Sequence, residues 1–223
     1  MAHPIRGALI EYGTDFLGPI PNVVIFQFNP ESLTRNIEIP PRPTGVAARE
    51  TSSAGVPPVE KFTLKVQFNA ADALNRSTNP LDPARTFGLG PQLAALEKLA
   101  RPATKRLLGA ALDAIGDALG LGGGDPTQSI PREKYPRILL IWGVTRVLPV
   151  VIESLSITEQ QYDFLLNPVQ AEVSLGLAVV PPGACSDDTV GRGAFTYSET
   201  AKAAMAVLNL ANTIPQVTDL IPF

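Results

Sequence analysis

The residues best suited to covalent chemistry in this chain are its one histidine, His3, and its one cysteine, Cys185. A Ser-His-Asp or Cys-His triad would have to recruit His3 from a terminus that we expect to be frayed, which favours a disordered histidine. Cys185 lies in PPGACSDD with no basic residue beside it to lower the pKa of the thiol, which favours a loop or minor core residue. The sequence therefore predicts no catalytic residue and no enzyme.

Acidic and glycine-rich positions give equally little support for a bound ion or nucleotide. Asp187 and Asp188 are adjacent but lack the regularly spaced oxygen ligands of a calcium loop, so we interpret them as a solvated loop. Asp113 and Asp117 lie four residues apart on a predicted helix and are typical of its wet face. The glycines of 120–124 lack the Lys-Ser/Thr that completes a phosphate-binding loop. We expect neither a metal ion nor a cofactor.

Composition limits the class of protein. The 223 residues are 45% hydrophobic and 17% charged, enough for one large or two small cores. The formal charge of −3 provides no basic field for phosphates, so no nucleic-acid partner is predicted. One cysteine excludes an intrachain disulfide, and neither a secretion signal nor an apolar run of about 18 residues is present. We expect a protein that is cytoplasmic when made and does not insert into membranes.

Period-two alternation predicts most of the strands. Residues 61–69 and 169–179 alternate apolar and polar side chains, as a strand between core and water requires. Residues 137–144 are apolar on both faces, and 150–158 follow Leu148-Pro149 as the expected hairpin partner. Residues 7–13 and 22–29 bring the set to about six strands. Helical patterns do not alternate with these strands, which favours an antiparallel sheet over a nucleotide-binding α/β fold.

Two blocks have helical spacing. Residues 91–120 repeat leucines at helical intervals, and Pro102 is predicted to split them into two helices. Thr196 and Glu199 have capping-box spacing, which predicts a helix over 197–211. The helix has a small-residue face, which would allow close packing; that face consists of Ala201, Ala204, Leu208 and Ala211.

The stretch VVIFQFNPESL, residues 23–33, begins as a strand and then stops at Phe28-Asn29-Pro30. Pro30 cannot donate to a ladder and Asn29 favours a turn, so Phe28 is predicted to be the last core anchor of its strand. Trp142, within an apolar strand, is interpreted as a buried core aromatic.

In this order the elements and motifs resemble the tube and inner-baseplate proteins of contractile injection systems, the phage-tail-like particles made by bacteria. The resemblance spans residues 5–181. It departs from the family at Asn167 and Gln170, where glycine and arginine are common, and in lacking a LysM-like peptidoglycan-binding module after Pro182. The family-motif residues are Phe28, Asn29, Pro30, Trp142, Gly143, Tyr162, Phe164, Pro168 and Ala171, together with Phe26 and Leu33.

The resemblance implies a mainly β fold with flanking α elements: a phage tail-tube-like antiparallel β-sandwich or partial barrel with a central helical insertion and a C-terminal helix. We expect a tube-like domain over 1–181, the insertion at about 91–134, and a loop and helix extension over 182–223. The implied function is that of a tube initiator, a hexameric ring that links the spike-hub to the inner tube in a particle assembled in the cytoplasm. The polar face of 61–69 or 169–179 would line a wet lumen, and the loop 40–58 and the insertion would contact partner proteins.

Two alternatives remain. One is a small-ligand or flavin-binding β-barrel enzyme with Trp142 and Tyr162 lining its pocket. The other is the major tube subunit, which shares the fold and differs in forming long tubes.

Overall fold

A computed structural model of the chain describes residues 5–13, 22–41, 58–72, 83–101, 135–183 and 186–220, with only the backbone described for 212 and 214–220. The strands are β1 (Ala8–Tyr12), β2 (Val23–Ile25), β3 (Leu33–Glu38), β4 (Val59–Asn69), β5 (Arg137–Trp142), β6 (Arg146–Tyr162) and β7 (Pro168–Val179). The helices are α1 (Ala84–Phe87), α2 (Gly90–Ala100) and α3 (Thr189–Leu220).

The seven strands form one sheet in the order β2-β1-β5-β6-β7-β4-β3, and every neighbouring pair is antiparallel. The predicted mainly β fold with flanking helices is confirmed. The predicted set of about six strands lacked β3, which pairs with β4 from Leu33↔Leu64 to Glu38↔Val59.

One face of the sheet carries the core. On β4 the predicted alternation is confirmed, because Phe62, Leu64, Val66 and Phe68 are buried. Their partners on β7 include Val173, Leu175 and Leu177, which are buried as well. Burial of each such side chain contributes about 1.5–3 kcal/mol, so this inner face dominates the stability of the sheet.

Helix α2 lies against the inner face and confirms the first part of the predicted helical block. Its Leu93, Leu96 and Leu99 are buried in the same core cluster as β4 and β7. Asn22 Nδ2, just before β2, donates to the carbonyl oxygen of Ala95 at 3.0 Å. Pro102 and the rest of the insertion, residues 102–134, lie outside the described residues, as does most of the loop 40–58.

The sheet curls into a partial barrel. Gln27, just past the edge strand β2, is buried, and its Oε1 accepts the backbone N–H of Asn69 at the end of β4 at 2.6 Å. β2 and β4 are separated by four strands in the sheet, so this bond is possible only if the sheet bends over α2. The barrel is not closed, because no strand pairing joins β2 to β3.

The second strand of the central hairpin begins earlier than predicted. β6 starts at Arg146, opposite Trp142, and the prediction that it starts at 150 after Leu148-Pro149 was wrong. Pro149 is tolerated because its carbonyl oxygen accepts from Val180 at 3.0 Å. In an antiparallel strand the nitrogen and carbonyl of one residue point to the same side, so the missing N–H faces the end of β7 and not the β5 ladder.

The C-terminal helix also begins earlier than predicted. α3 starts at Thr189, and Asp188 caps it, because its Oδ1 accepts the N–H of Gly191 at 2.8 Å. The predicted capping box at Thr196 was therefore wrong, and Glu199 binds Lys202 at 2.9 Å instead. An aspartate earlier in the chain supplies the cap that the sequence pattern had assigned to the threonine.

The small-residue face of α3 would allow close packing, but most of it is uncovered within one copy. Ala204, Leu208 and Ala211 are exposed, while Ala201 is half-buried. Helix α3 is held to the sheet by its first half, where Ser198 is buried and its hydroxyl bonds to both the N–H and the carbonyl oxygen of Val147. Among the described residues, no helix combines the length and apolar character needed to cross a membrane.

Candidate interaction surface

The predicted Phe28-Asn29-Pro30 stop forms a corner beside β1, but Phe28 is not the core anchor. β2 ends at Ile25, Phe26 is fully buried, and Phe28 is 43% exposed, so that prediction was wrong. The reason is Gln27, whose bond to β4 pulls the chain out of the β1 ladder and turns the next side chain outward. Pro30 is half-buried.

The Asn29 side chain connects this corner to the residues just before β1 through two hydrogen bonds. Its Oδ1 accepts the N–H of Gly7 at 3.0 Å, and its Nδ2 donates to the carbonyl oxygen of Ile5 at 2.8 Å. The amide thus imitates a strand residue and continues the pairing of β1 beyond the end of β2. The asparagine is explained by backbone pairing alone.

Trp142 and Gly143 complete the same corner. The Trp142 ring is half-buried and lies 6.4 Å from the Phe26 ring at an interplanar angle of 56°. A Cβ on Gly7 would lie 2.7 Å from Phe26 and 2.9 Å from Trp142, so glycine is required beneath the two rings. Gly143 has φ +68° in the turn between β5 and β6.

The other motif residues lie at the far end of the hairpin formed by β6 and β7. Ala171 is buried in the core, and Pro168 pairs with Tyr162 where the two strands meet. Between them, three apolar side chains are displayed to solvent, which we name the hairpin tip. Its residues are Phe164, Leu165 and Leu166, exposed by 92%, 60% and 78%.

Asp163 and Asn167 hold the hairpin tip in one shape. The carboxylate of Asp163 accepts the N–H groups of Leu165 and Asn167, each at 2.8 Å, and the Asn167 Nδ2 at 2.9 Å. These bonds, led by that from the Asn167 side chain, hold the pKa of the Asp163 carboxyl below its ordinary range. Leu166 has φ +62°, which a leucine rarely adopts. The loop is ordered by its polar residues and exposes its apolar ones.

The corner between α1 and α2 supports the tip from below. Asn167 Nδ2 donates to the carbonyl oxygen of Thr86 at 3.0 Å, and Leu89 donates to that of Pro168 at 2.8 Å. Gly88 has φ +55°, and a Cβ there would collide with the Pro168 carbonyl oxygen. Phe87, 56% exposed, adds a fourth apolar side chain to this end of the molecule.

The two groups of motif residues are far apart. Trp142 faces Arg146 at the start of β6, whereas Tyr162 ends the strand. At about 3.3 Å per residue, the 17 residues of β6 span roughly 50 Å. Trp142 and Tyr162 therefore cannot line one ligand pocket.

Sequence reasoning did not locate the open strand edges. β5 pairs with β6 only as far as Val150, and within the described part of the chain no strand lies on that side of residues 151–162. On the other side of the four strands β6-β7-β4-β3, β3 is an edge strand of the sheet and also has no second neighbour among the described strands. A weak strand pattern for β3 was present in LTRNIE, because the apolar Leu33 and Ile37 lie on the same face of an extended chain as Arg35.

The outer face of the four strands β6, β7, β4 and β3 is polar. Ser156 pairs with Ser174, Thr158 with Glu172, and Lys65 with Ser174. A row of charges crosses it, since Lys61 lies 3.2 Å from Glu38 and 3.3 Å from Glu153. Hydrogen bonds to these two carboxylates raise the pKa of Lys61, so the row contains a firmly protonated lysine.

Helix α3 crosses the inner side of the sheet at the other end. Asp188 accepts from the Tyr12 hydroxyl on β1 at 2.7 Å, Ser198 binds Val147 on β6, and Lys202 binds Glu60 on β4 at 2.9 Å. Burial and the bond to Asp188 raise the pKa of Tyr12, so this anchor stays protonated. From Asp188 to Lys202 the helix therefore runs from β1 past β6 to β4, and the next strand in the sheet after β4 is the edge strand β3.

From residue 203 to residue 211 the helix is uncovered. Every residue from 203 to 211 is exposed, and this stretch, which we name the projecting half of α3, carries no charged side chain. Its larger apolar residues are Met205, Val207, Leu208 and Leu210, each more than half exposed. It therefore presents apolar surface at the β3 border of the sheet.

Nothing in the described residues assembles a reactive centre. They contain no group of three or more His, Cys, Asp and Glu side chains that could hold a metal ion. A shallow groove on α3 is lined by Thr189, Arg192, Gly193, Thr196, Tyr197 and Thr200, without a carboxylate. His3 and Cys185 lie outside the described residues.

The chain matches no protein-family model and no curated protein. The candidate site consists of the two open edges, the hairpin tip and the projecting half of α3.

Proposed function

We propose that this chain is a structural component of a contractile injection system, a ring-forming tube initiator or inner-baseplate protein that links the spike-hub to the inner tube. The observation that carries the proposal is the four-stranded segment β6-β7-β4-β3, open at both borders among the described residues. Exposed edges of this kind are sites of further pairing, and a closed ring of identical copies removes them without open-ended growth.

The strand directions favour such a ring. All neighbouring strands are antiparallel, so β3 runs opposite to β6. When identical copies stand side by side in the same orientation, β3 of one copy is then antiparallel to β6 of the next. An even number of strands per copy lets one alternating ladder run around the whole ring. The number of copies, six, comes from the family resemblance.

The two faces of this segment suit a wall between a lumen and a core. The outer face offers hydroxyl, amide and paired charged groups such as Thr158 and Lys65 to water. The inner face is buried against α2. We assign the polar face to a wet lumen, which agrees with the alternation of lining and packing residues along barrel strands.

The hairpin tip is assigned to contact with the next component of the particle. The tip exposes three apolar side chains to water, which is unfavourable unless a partner covers them. One of the three, Leu166, also has a positive φ. A neighbouring ring or spike-hub protein with an apolar groove would cover them. A major tube subunit would use the same tip between its own copies, so unaided growth into long tubes separates that alternative from an initiator.

The test is the mass of the purified chain in solution, with negative-stain images of the same sample. We expect closed rings, and short stacks only when a tube protein is added. Phe164→Ser is expected to leave the rings intact and to abolish stacking, whereas Thr63→Ser, on the outer face of the middle strand β4, changes neither. A chain that is monomeric at all concentrations and binds neither spike nor tube protein would overturn the proposal, and a yellow protein with bound flavin would favour the enzyme alternative.

A further inference from the structure

We propose that copies of this chain join by antiparallel pairing of residues 34–38 of β3 in one copy with residues 156–160 of β6 in the next, in the register that places Arg35 opposite Glu159 and Ile37 opposite Ile157. The proposal rests on the ring assembly proposed above and identifies the residues that set its geometry.

Strand regularity limits which part of β6 can take part. A β-bulge interrupts the pairing of β6 at Ile152/Ser154, and Gln161 has φ +52°, after which pairing resumes at Tyr162↔Pro168. The regular segment between these irregularities is 154–160. This segment is long enough for residues 34–38 of β3, which lie opposite 160–156 in the proposed register, whereas Leu33 lies opposite Gln161.

The side-chain alternation excludes half of the possible registers. On β3, Leu33, Arg35 and Ile37 pair with Leu64, Phe62 and Glu60, so they share the inner face. On β6, Leu155, Ile157 and Glu159 pair with Leu175, Val173 and Ala171 and share the same face. A shift of one residue would set the inner face of one copy against the polar face of the other, so only shifts of two are compatible.

Charge then selects one register among those that remain. In the proposed register Arg35 meets Glu159 and Ile37 meets Ile157. Moving β3 by two residues in one direction places Arg35 opposite Ile157 and Leu33 opposite Glu159, and in the other direction it places Ile37 opposite Glu159. Both shifts lose the pairing of Arg35 with Glu159. The first keeps an aliphatic pair, Ile37 opposite Leu155, but sets Arg35 against Ile157, and such cross-strand pairs are what stabilise a chosen register.

Both partners are accessible for this contact. The Arg35 side chain is 40% exposed and lies 3.6 Å from Glu60, a distance longer than a strong ion pair, and Glu159 is exposed. On the outer face the same register sets Asn36 opposite Thr158 and Glu38 opposite Ser156. These pairs combine hydrogen-bond donors with acceptors and leave no like charges facing each other.

Disulfide trapping tests the register directly. In a Cys185→Ser background, Asn36→Cys with Thr158→Cys places two thiols opposite each other, and Asn36→Cys with Ser156→Cys is the matched variant for the competing register. β4 and β7 separate β3 from β6 in one copy, and Asn36 and Thr158 are also offset along the strands, so the two cysteines of one chain are more than roughly 14 Å apart. A disulfide needs Cα atoms within about 7 Å, so any bond that forms joins two copies.

On mild oxidation the first variant is expected to give a ladder of covalent multimers, and the second to stay largely unlinked. Stronger linking in the second variant, or none in either while the native mass remains that of a ring, would overturn the register but not the ring. A monomeric native mass for the parent chain would overturn both.

Charge reversal gives a second, independent measurement. Arg35→Glu and Glu159→Arg are each expected to weaken association by on the order of tenfold, and the double variant is expected to restore it. Lys65→Glu, on β4 and away from both edges, is the control and should leave association unchanged. Thermal melts of each variant separate loss of association from loss of folding, and failure of the double variant to recover would contradict the pairing.

Discussion

At the residue scale, the sharpest constraint is Gly88, the hinge between α1 and α2 beneath the hairpin tip. Its φ of +55° is rare for other residues, and a Cβ would meet the Pro168 carbonyl oxygen, which also accepts the N–H of Leu89. Gly143 has a similar φ of +68° but open space around it. A comparison of substitutions at the two glycines therefore separates the cost of the positive φ from the cost of the backbone collision.

We predict that Gly88→Ala destabilises the chain by roughly 3 kcal/mol, and Gly143→Ala by about 1 kcal/mol, because only the first adds a backbone collision to the strain. The measurement is the free energy of unfolding in urea for both variants and the parent chain. Equal losses in the two variants would show that the contact between Gly88 and Pro168 is unimportant.

The Asp163 carboxylate makes the stability of the hairpin tip depend on pH. Its carboxylate accepts three hydrogen bonds in the folded loop, and these hold its pKa below the ordinary range. Because the folded pKa is depressed, the stabilisation is fully present above the ordinary pKa of about 3.9 and is lost as the pH falls through the lower folded value.

The backbone amides of Leu165 and Asn167 should therefore titrate together below the ordinary aspartate range, as followed by NMR between about pH 2 and 6. In Asp163→Asn the shared titration should vanish. If these amides instead titrate at or above the ordinary range, the carboxylate does not order the tip.

At the element scale, the projecting half of α3 is the segment without a covering partner among the described residues. The helix crosses from β1 to β4 and continues at the β3 border, with residues 203–211 exposed. In the proposed ring this border faces the next copy, which would cover Met205 and Leu208.

We predict that Met205→Gln with Leu208→Gln weakens association by on the order of tenfold, since two apolar side chains lose burial, and leaves the melting temperature of the single copy almost unchanged. Asn209→Gln, at an exposed polar position of the same stretch, is the control. A large fall in melting temperature would mean that this half of α3 packs on its own chain, and unchanged association would mean that it does not contact the next copy.

The elements differ in how far the sequence could predict them. β4 and β7 follow from alternation because one face is buried and the other wet. The early start of α3 did not, because Asp188 and Thr196 are both good caps and the tertiary bond from Tyr12 to Asp188 decides between them. β3 was hidden because only Leu33 and Ile37 are apolar in an otherwise polar strand.

The sequence reasoning named the motif residues, but it did not predict how far apart they lie. Asn29 and Trp142 lie at one end of the hairpin strands, and Phe164 lies at the other. Separation along a strand depends on its length, and β6 proved to be longer than the segment 150–158 that alternation indicated. The positions of the open edges could not be predicted because they depend on where neighbouring strands stop.

At the scale of the whole molecule, the described residues of one chain build a partial barrel with a packed core and three open edges: β2, β3 and residues 151–162 of β6. The core is satisfied within one copy, since β4, β7 and α2 bury their apolar side chains together. The edges, the hairpin tip and the projecting half of α3 are not. The contrast between a packed core and unpaired strand edges is the physical basis of the proposed ring.

Electron cryo-microscopy of the purified chain tests this claim most directly. The account predicts a closed ring in which β3 of each copy is hydrogen-bonded to β6 of its neighbour, with the polar strand faces turned to a central channel. A single-copy particle, or an assembly in which β3 and residues 151–162 are covered by segments of their own chain, would contradict it.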